Sequence, residues 1–233
     1  RFAHETRPHT ARSIGRLPII CSVSSLSSAQ AAPLTDPAVT APSAVTLMAA
    51  DMVEVDLVIQ RRLASDVALI DQIGHYIISA GGKRIRPMLV LLFSKALGFN
   101  GPERFELAAT VEFIHTATLL HDDVVDESAL RRGRETANAL FGNAASVLVG
   151  DFVYSRAFQM MVSLNRMRVL EVLSDATNVI AEGEVLQLMN MHDPDLAVDE
   201  YLRVIRFKTA KLFEASARLG AVLAQSTSAV EEA

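Results

Sequence analysis

The segment EFIHTATLLHDDVVD, residues 112–126, joins an apolar helical run to three aspartates. Asp122 and Asp126 are four residues apart, so a helix places both on one face with about 6 Å of rise between them, while Asp123 points about 100° around the axis. Mg²⁺ prefers one or two carboxylates together with phosphate oxygens, so this pair suits such an ion. The same spacing also occurs at solvated acidic helix ends, but the apolar residues before it predict a drier environment, where unpaired charges are costly.

Three basic segments accompany the aspartates. Lys83 and Arg86 lie one turn apart in Gly-Gly-Lys-Arg-Ile-Arg-Pro (81–87), beside a predicted helix N-terminus, where the helix dipole and free N–H groups favour a diphosphate or carboxylate. Leu-Arg-Arg-Gly-Arg (130–134) and Phe-Lys-Thr (207–209) add further cations. Each segment alone is also compatible with an ordinary basic surface. Together with the aspartates they predict two diphosphate sites, one bridged by metal and the other held by cations alone.

The surrounding pattern is helical, because apolar residues recur at spacings of three and four between breaks rich in Gly, Pro and Asn. It predicts helices at about 51–79, 87–97, 103–123, 144–164, 166–190 and 198–223, with a polar loop at 127–135. No stretch alternates like a strand. Several helices are apolar on more than one face, which is typical of a large bundle or a subunit interface. We therefore predict an all-α bundle.

The composition excludes several classes of protein. The chain has 233 residues, of which 50% are hydrophobic and 21% charged, enough for one large core. Its net charge is −5 and it has no long basic stripe, so no nucleic acid is expected as a partner. The single cysteine, Cys21, excludes an intrachain disulfide and a cysteine-rich metal site. No stretch of about 20 apolar residues predicts a transmembrane segment, and a cytoplasmic location is expected.

Residues 1–47 differ from the rest of the chain. They hold four arginines within the first sixteen residues, many serines, alanines and prolines, and few acidic residues. No helical period runs through them, so we interpret them as disordered. Three origins stay open: a transit peptide for a mitochondrion or plastid, a secretory signal, or a spurious extension foreign to the natural protein. The folded domain is predicted to cover residues 48–233.

The motifs Gly-Gly-Lys-x-x-Arg-Pro, Ile-His-x-x-x-Leu-x-His-Asp-Asp-x-x-Asp and Leu-Arg-Arg-Gly, in this order, resemble those of the trans-prenyl diphosphate synthases. The likeness covers about residues 51–225 and is greatest to the bacterial octaprenyl diphosphate synthases. It implies an isoprenoid-synthase-type helical bundle around a central cavity. It also implies a Mg²⁺-dependent prenyltransferase that condenses isopentenyl diphosphate with an allylic diphosphate such as farnesyl diphosphate, giving a long-chain all-trans product for quinone side chains.

The same resemblance assigns roles to individual residues. Catalytic roles at the allylic diphosphate fall to Asp122, Asp123, Asp126, Arg131, Lys208 and Thr209, with Asp122 and Asp126 as the Mg²⁺ ligands. Isopentenyl diphosphate would be held by Lys83, Arg86, His115 and Arg132, and Gln187 would lie across the cavity from the aspartates. Ionisation of the allylic C–O bond, attack by the second substrate's double bond and proton loss would follow in a dry pocket.

The helix before the aspartates bears on product length. Ala117 and Thr118 precede Asp122 by five and four residues, about one turn down the same face. Large aromatic side chains there would close the end of the cavity, whereas Ala and Thr leave it open. Both residues are also compatible with a simple packing role. We favour the open cavity, which predicts a long-chain product.

The sequence departs from this family in one respect. Members carry a second Asp-Asp-x-x-Asp motif further along the chain, and none occurs before Ala233. We therefore interpret the chain as C-terminally incomplete. An alternative is a truncated, non-catalytic or regulatory subunit of a heteromeric synthase, against which the intact first motif argues. A terpene cyclase of related fold is disfavoured by the Gly-Gly-Lys segment. A homodimer is the expected assembly, with a heteromer as the alternative.

Overall fold

The computed structural model of the chain describes residues 43–233, so the predictions made for residues 1–42 lie outside the described part. The first helix begins at Ala44, where the Ser43 hydroxyl accepts a hydrogen bond at 3.1 Å from a backbone N–H of the first turn. Such a side chain satisfies one of the free N–H groups at a helix start. Helical structure therefore begins before Met48, the predicted boundary, and Met48 itself is fully buried.

The described residues are almost entirely helical, which confirms the predicted fold class. The elements are α1 (Ala44–Leu63), α2 (Ala68–Ser79), α3 (Ile85–Ala96), α4 (Glu103–Val125), β1 (Leu130–Arg131), β2 (Arg134–Glu135), α5 (Ala137–Phe141), α6 (Asn143–Ser163), α7 (Met167–Met189), α8 (Val198–Ile205), a π-helical turn (Arg206–Ala210), α9 (Lys211–Leu223) and α10 (Ser228–Glu232). The sequence did not predict α5 or α10. Among these helices, none combines the length and the apolar character that crossing a membrane requires.

The predicted helix at 51–79 is in fact two helices, so the single-helix prediction is wrong. α1 ends at Leu63 and α2 begins at Ala68, with extended backbone at Val67. The reason lies at Ser65, whose hydroxyl accepts a hydrogen bond from the Val67 N–H at 3.2 Å. A serine that offers the backbone such a partner favours a turn over helix continuation.

The segment predicted as a polar loop, 127–135, contains a two-stranded antiparallel hairpin of β1 and β2. Arg132 and Gly133 form its turn with φ values of 54° and 76°, and two positive φ values are what a type I′ hairpin turn requires. The Tyr76 hydroxyl donates to the Glu135 carbonyl at 2.7 Å and so fastens the hairpin to α2. The three arginines of this segment are therefore carried on ordered backbone.

The helix α4 lies at the centre of the bundle. It packs against α1, α3, α6 and α9, and every residue from 107 to 114 is buried. Ala108 and Ala109 are fully buried, and small side chains there let neighbouring helices pack closely without voids. The prediction that an all-round apolar helix is buried in the bundle is thus confirmed for α4. Its C-terminal end carries the three aspartates.

Candidate active site

Asp123 turns into the protein at the end of α4. Only 1% of its surface is exposed. Its Oδ1 accepts a hydrogen bond from Arg131 Nε at 2.9 Å and lies 2.7 Å from Arg131 Nη2. Such a two-point contact between a guanidinium and a carboxylate is among the stronger protein ion pairs. The resemblance assigned both residues to the allylic diphosphate. In the structure they bind each other, and the pair fastens β1 to α4.

Asp122 faces α7 and the π-helical turn instead. Lys208 Nζ lies 2.6 Å from Glu184 Oε2 and 3.7 Å from Asp122 Oδ2. Gly183 permits this arrangement, because a Cβ at that position would come within 2.6 Å of the Lys208 backbone nitrogen. Sequence reasoning did not identify Glu184. The one signal available was its place on the predicted helix one turn before Gln187.

The surroundings of Asp122 disfavour the ionised form of its carboxyl group. Burial raises its pKa, the charges of Glu184 and Asp126 raise it further, and Lys208 opposes them, with a resulting pKa of about 6. No three His, Cys, Asp or Glu side chains within residues 43–233 form a ready-made metal cage. Mg²⁺ commonly takes only one or two carboxylates and completes its shell with water and substrate phosphates. Asp122 with Asp126 fits a divalent cation that binds together with a diphosphate.

A cationic cavity of about 430 Å³ lies between the start of α3, the helix α4, the hairpin and α9. It is lined by Gly82, Lys83, Arg84, Ile85, Arg86, Glu112, His115, Arg132 and Phe213. The structure therefore brings together all four residues predicted to hold isopentenyl diphosphate. The Arg132 guanidinium packs against Gly82, where a Cβ would lie 2.7 Å from its Nη1. A side chain at this position would therefore displace the guanidinium from its present place.

Arg84 and Glu112 form a buried ion pair at one side of this cavity. Arg84 has a left-handed backbone, with φ 48°, at the N-cap of α3. Its Nη1 donates to Glu112 Oε1 at 2.6 Å, and the two side chains are 17% and 11% exposed. The pair fastens the Gly-Gly-Lys-Arg loop to α4 and neutralises Arg84. Sequence reasoning missed both roles, because partners 28 residues apart leave no local pattern.

His115 is neutral in this environment. Burial and, after it, the charges of the neighbouring arginines, Arg86 first among them, lower its pKa to about 3. Its Nε2 lies 3.1 Å from Arg86 Nη1. Arg86 has only N–H donors on its guanidinium, so Nε2 is the acceptor in this hydrogen bond. His115 thus contributes a neutral ring and no positive charge to the cavity.

A second cavity of about 270 Å³ lies between α4, α6 and α7 and is mainly apolar. It is lined by Ile114, Thr118, His121, Asp122, Asp151, Tyr154, Thr177, Ile180, Ala181 and Glu184. The carboxylates of Asp122 and Glu184 therefore border an apolar space. Thr118 lines this cavity, whereas Ala117 is fully buried in the core and does not reach it.

Gln187 and Thr209 lie on another side of Lys208. Together with Lys208 they line a third cavity, of about 400 Å³, whose other walls come from α8 and the segment before it. The aspartates of α4 do not line this cavity. The resemblance placed Gln187 across the cavity from the aspartates. In the structure it shares a space with Thr209 instead.

Carboxylates beside an apolar cavity and a separate cationic cavity are both built around one central helix of a helical protein. The polyprenyl synthetase family profile matches residues 67–233, and the chain belongs to that family. The resemblance drawn from the motifs is thereby confirmed.

Individual relatives of the chain are also polyprenyl diphosphate synthases. The chain is 62% identical to the octaprenyl diphosphate synthase of Escherichia coli K12 over 181 residues, covering 78% of this chain and 56% of that protein. It is 48% identical over 178 residues to the geranyl-diphosphate-specific all-trans-nonaprenyl-diphosphate synthase of Rhodobacter capsulatus, covering 76% of this chain and 55% of that one.

A crystal structure of the Caulobacter crescentus CB15 polyprenyl synthase, complexed with calcium and isoprenyl diphosphate, superposes with a TM-score of 0.79 at 51% identity. That match covers 81% of this chain and 58% of the other. This chain therefore spans little more than half the length of the relatives that it matches.

Proposed function

We propose that the chain condenses isopentenyl diphosphate with an allylic diphosphate, farnesyl diphosphate in the first instance, to a long-chain all-trans polyprenyl diphosphate. One observation carries this proposal. The protein has two charged regions of opposite sign, a carboxylate cluster at Asp122 and Glu184 bordering an apolar cavity and a separate cationic cavity around Arg86. Such a pair suits two diphosphates that are bound differently, one through a divalent cation and the other by cations alone.

The allylic diphosphate is assigned to the carboxylate cluster. Asp122 and Asp126 would hold the divalent cation, for which we propose Mg²⁺, and the cation would stabilise the charge of the departing diphosphate. The calcium and isoprenyl diphosphate bound by the Caulobacter relative support this assignment. Lys208, held by Glu184 at 2.6 Å, supplies a second positive group at the same place. Arg131 is kept beside this site by its ion pair with Asp123.

Isopentenyl diphosphate is assigned to the cationic cavity. None of the ion pairs formed within residues 43–233 involves Lys83, Arg86 or Arg132. These three side chains therefore keep their full charge for an anion. Arg84 is already neutralised by Glu112. The cavity offers three unpaired cations to a multiply charged diphosphate and needs no metal to do so.

In the proposed reaction the reacting carbons of the two substrates meet beside apolar surface, which limits the access of water to the carbocation. The allylic C1–O bond breaks and its electron pair leaves with the diphosphate, to whose oxygens Lys208 and Arg131 would donate hydrogen bonds. The double bond of isopentenyl diphosphate attacks the resulting cation and forms the new C–C bond. A proton is then lost to restore a double bond, and the released diphosphate is the base that we propose. Ile114 and Ile180 line the adjoining space with apolar surface.

The growing chain is assigned to the apolar cavity, in which Thr118 leaves room beside Asp122. An octaprenyl product is favoured because the Escherichia coli relative carries that activity in its name and is 62% identical. A quinone side chain is the proposed use of this product. The cytoplasmic location stays a prediction.

A second copy of the chain is the proposed partner of α6. Leu148 is 67% exposed and Val147 is 37% exposed on this helix, for which the sequence predicted burial either within the bundle or at a subunit interface. Exposed apolar residues that cluster on one helix indicate a protein contact. Sedimentation of the wild-type chain and of Leu148→Glu tests this. A dimer that the substitution converts to a monomer supports the proposal, and a monomeric wild type contradicts it.

An elongation assay tests the function. The purified chain is incubated with farnesyl diphosphate, labelled isopentenyl diphosphate and Mg²⁺, beside Asp122→Ala and the matched control Asp175→Ala, an exposed residue of α7. We expect long prenyl products from the wild type and the control and none from Asp122→Ala. Absence of product from the wild-type chain, with Mg²⁺-dependent binding of farnesyl diphosphate retained, would refute catalysis by this chain.

A further inference from the structure

The Arg86 guanidinium is held from two sides by groups that carry no charge. Its central carbon lies 4.2 Å from the centre of the Phe213 ring, and its Nη1 lies 3.1 Å from His115 Nε2. Its Nε is buried and has no acceptor among residues 43–233. Both partners restrict the guanidinium, and neither cancels its charge.

The neighbouring arginine shows the opposite arrangement. Arg84 is bound by the Glu112 carboxylate at 2.6 Å, so its charge is neutralised within the protein. A carboxylate beside Arg86 would have fixed that side chain equally well, but it would have repelled an incoming anion. An aromatic face and a neutral imidazole nitrogen fix the side chain and leave the charge for a ligand.

The geometry points to Phe213 and His115 as positioning residues that clamp Arg86 so that its free N–H donors meet the diphosphate of isopentenyl diphosphate. This inference rests on the proposed synthase function for the identity of the ligand. Burial lowers the pKa of Arg86 from its ordinary value, with the Glu112 charge opposing, so the charged guanidinium is poorly solvated and gains from the ring beneath it. No role for Phe213, which lies on α9, was predicted from the sequence.

The clamp predicts how the chain binds inorganic pyrophosphate. Calorimetric titration in EDTA removes the metal-dependent site and reports on the cationic cavity alone. We expect Phe213→Leu to weaken pyrophosphate binding about 2- to 30-fold, the range of a cation–π contact from exposed to desolvated. Phe213→Tyr keeps an aromatic face and should restore binding. Phe105→Leu is the matched control, because the Phe105 ring lies 4.1 Å beneath Arg104 and lines none of the three cavities.

A second background separates positioning from general damage. In Arg86→Gln the clamp has nothing to hold, so adding Phe213→Leu should weaken binding no further. The same logic applies to His115, where Gln keeps an acceptor and should bind pyrophosphate nearly as well as the wild type, whereas Leu should not. Equal losses from Phe213→Leu with and without Arg86 would overturn the clamp. So would a failure of the wild-type chain to bind pyrophosphate in EDTA.

Elongation kinetics distinguish this inference from the proposed function. If both hold, Phe213→Leu raises KM for isopentenyl diphosphate and leaves KM for the allylic substrate unchanged. If the wild-type chain forms no product but the pyrophosphate results are as expected, the synthase function falls and the clamp stands. A rise in KM for the allylic substrate alone would contradict the clamp.

Discussion

Replacing Asp122 or Asp123, two adjacent residues at the end of α4, with asparagine should change the stability of the protein in opposite directions. Asp123 is 2% exposed at its side chain and paired with Arg131, which is 35% exposed. Removing one partner of a buried ion pair costs about 3–5 kcal/mol of folding stability. Because Arg131 is partly exposed and stays partly solvated, we expect a smaller loss for Asp123→Asn, about 2–3 kcal/mol. At about 2–4 °C per kcal/mol for a domain of this size, Tm should fall by roughly 4–12 °C.

Asp122→Asn should instead raise the stability of the metal-free protein. The pKa of Asp122 rises from 3.8 to about 6, chiefly through burial and secondly through the Glu184 charge. The folded pKa exceeds the unfolded one, so stability falls as the pH rises from about 3.8 to about 6, and the full cost applies at higher pH. At about 1.4 kcal/mol per pKa unit, the cost at pH 8 is about 2–3 kcal/mol. Asparagine removes this cost at pH 8 and changes little at pH 4.

Thermal unfolding followed by circular dichroism in EDTA at pH 8 compares both variants with wild type and with Asp175→Asn, an exposed control. Shifts of Asp122→Asn and Asp123→Asn in the same direction would refute the assignment of different environments to the two carboxylates. Addition of Mg²⁺ with pyrophosphate should then raise Tm more for the wild type than for Asp122→Asn, because the variant keeps the cationic cavity but loses the metal-dependent site, and stabilisation follows the ligand that is bound.

Three further predictions concern other residues of the site. Between pH 6.5 and 5, His115 binds a proton in the unfolded state but not in the folded state, where its pKa is about 3. Urea unfolding should therefore show a loss of about 1.4 kcal/mol per pH unit on acidification that is absent from His115→Gln, and identical slopes would contradict this. Gly82→Ala places a methyl group 2.7 Å from Arg132 Nη1. Kinetic assays should show KM for isopentenyl diphosphate raised about tenfold, which corresponds to about 1.4 kcal/mol of steric crowding. An unchanged KM would count against the close approach of Gly82 and Arg132. Thr118→Phe fills part of the apolar cavity and should shorten the products seen by mass spectrometry, whereas Ala117→Phe overpacks the core and should unfold the protein.

The sequence predicted the parts of the site that lie close together along the chain. The four-residue spacing of Asp122 and Asp126, and the one-turn spacing of Lys83 and Arg86, follow directly from helix geometry. Burial of α4 also followed, because its apolar residues cover every face. Such local patterns need no knowledge of how the helices pack.

Partners from distant helices could not be predicted in this way. Glu184 and Phe213 reach the site only because α7 and α9 pack with a particular rotation about their axes. The π-helical turn at 206–210 changes that rotation, and its sequence resembles ordinary helix. Turns of this kind occur often at functional sites. The tight hairpin turn, by contrast, had a usable signal in Gly133.

The two halves of the site carry opposite charge imbalances, and this explains why one needs a metal and the other does not. Around Asp122, the carboxylates of Asp122, Asp126 and Glu184 face a single ammonium from Lys208, which leaves two negative charges. One divalent cation balances that excess. In the cationic cavity three side chains keep their positive charge, since Arg84 and Glu112 cancel each other and His115 stays neutral. A diphosphate can therefore bind there directly, whereas at Asp122 it would meet like charge until a cation intervenes. Burial raises the pKa of Asp122 most, and the negative charge of Glu184 in this cluster raises it further.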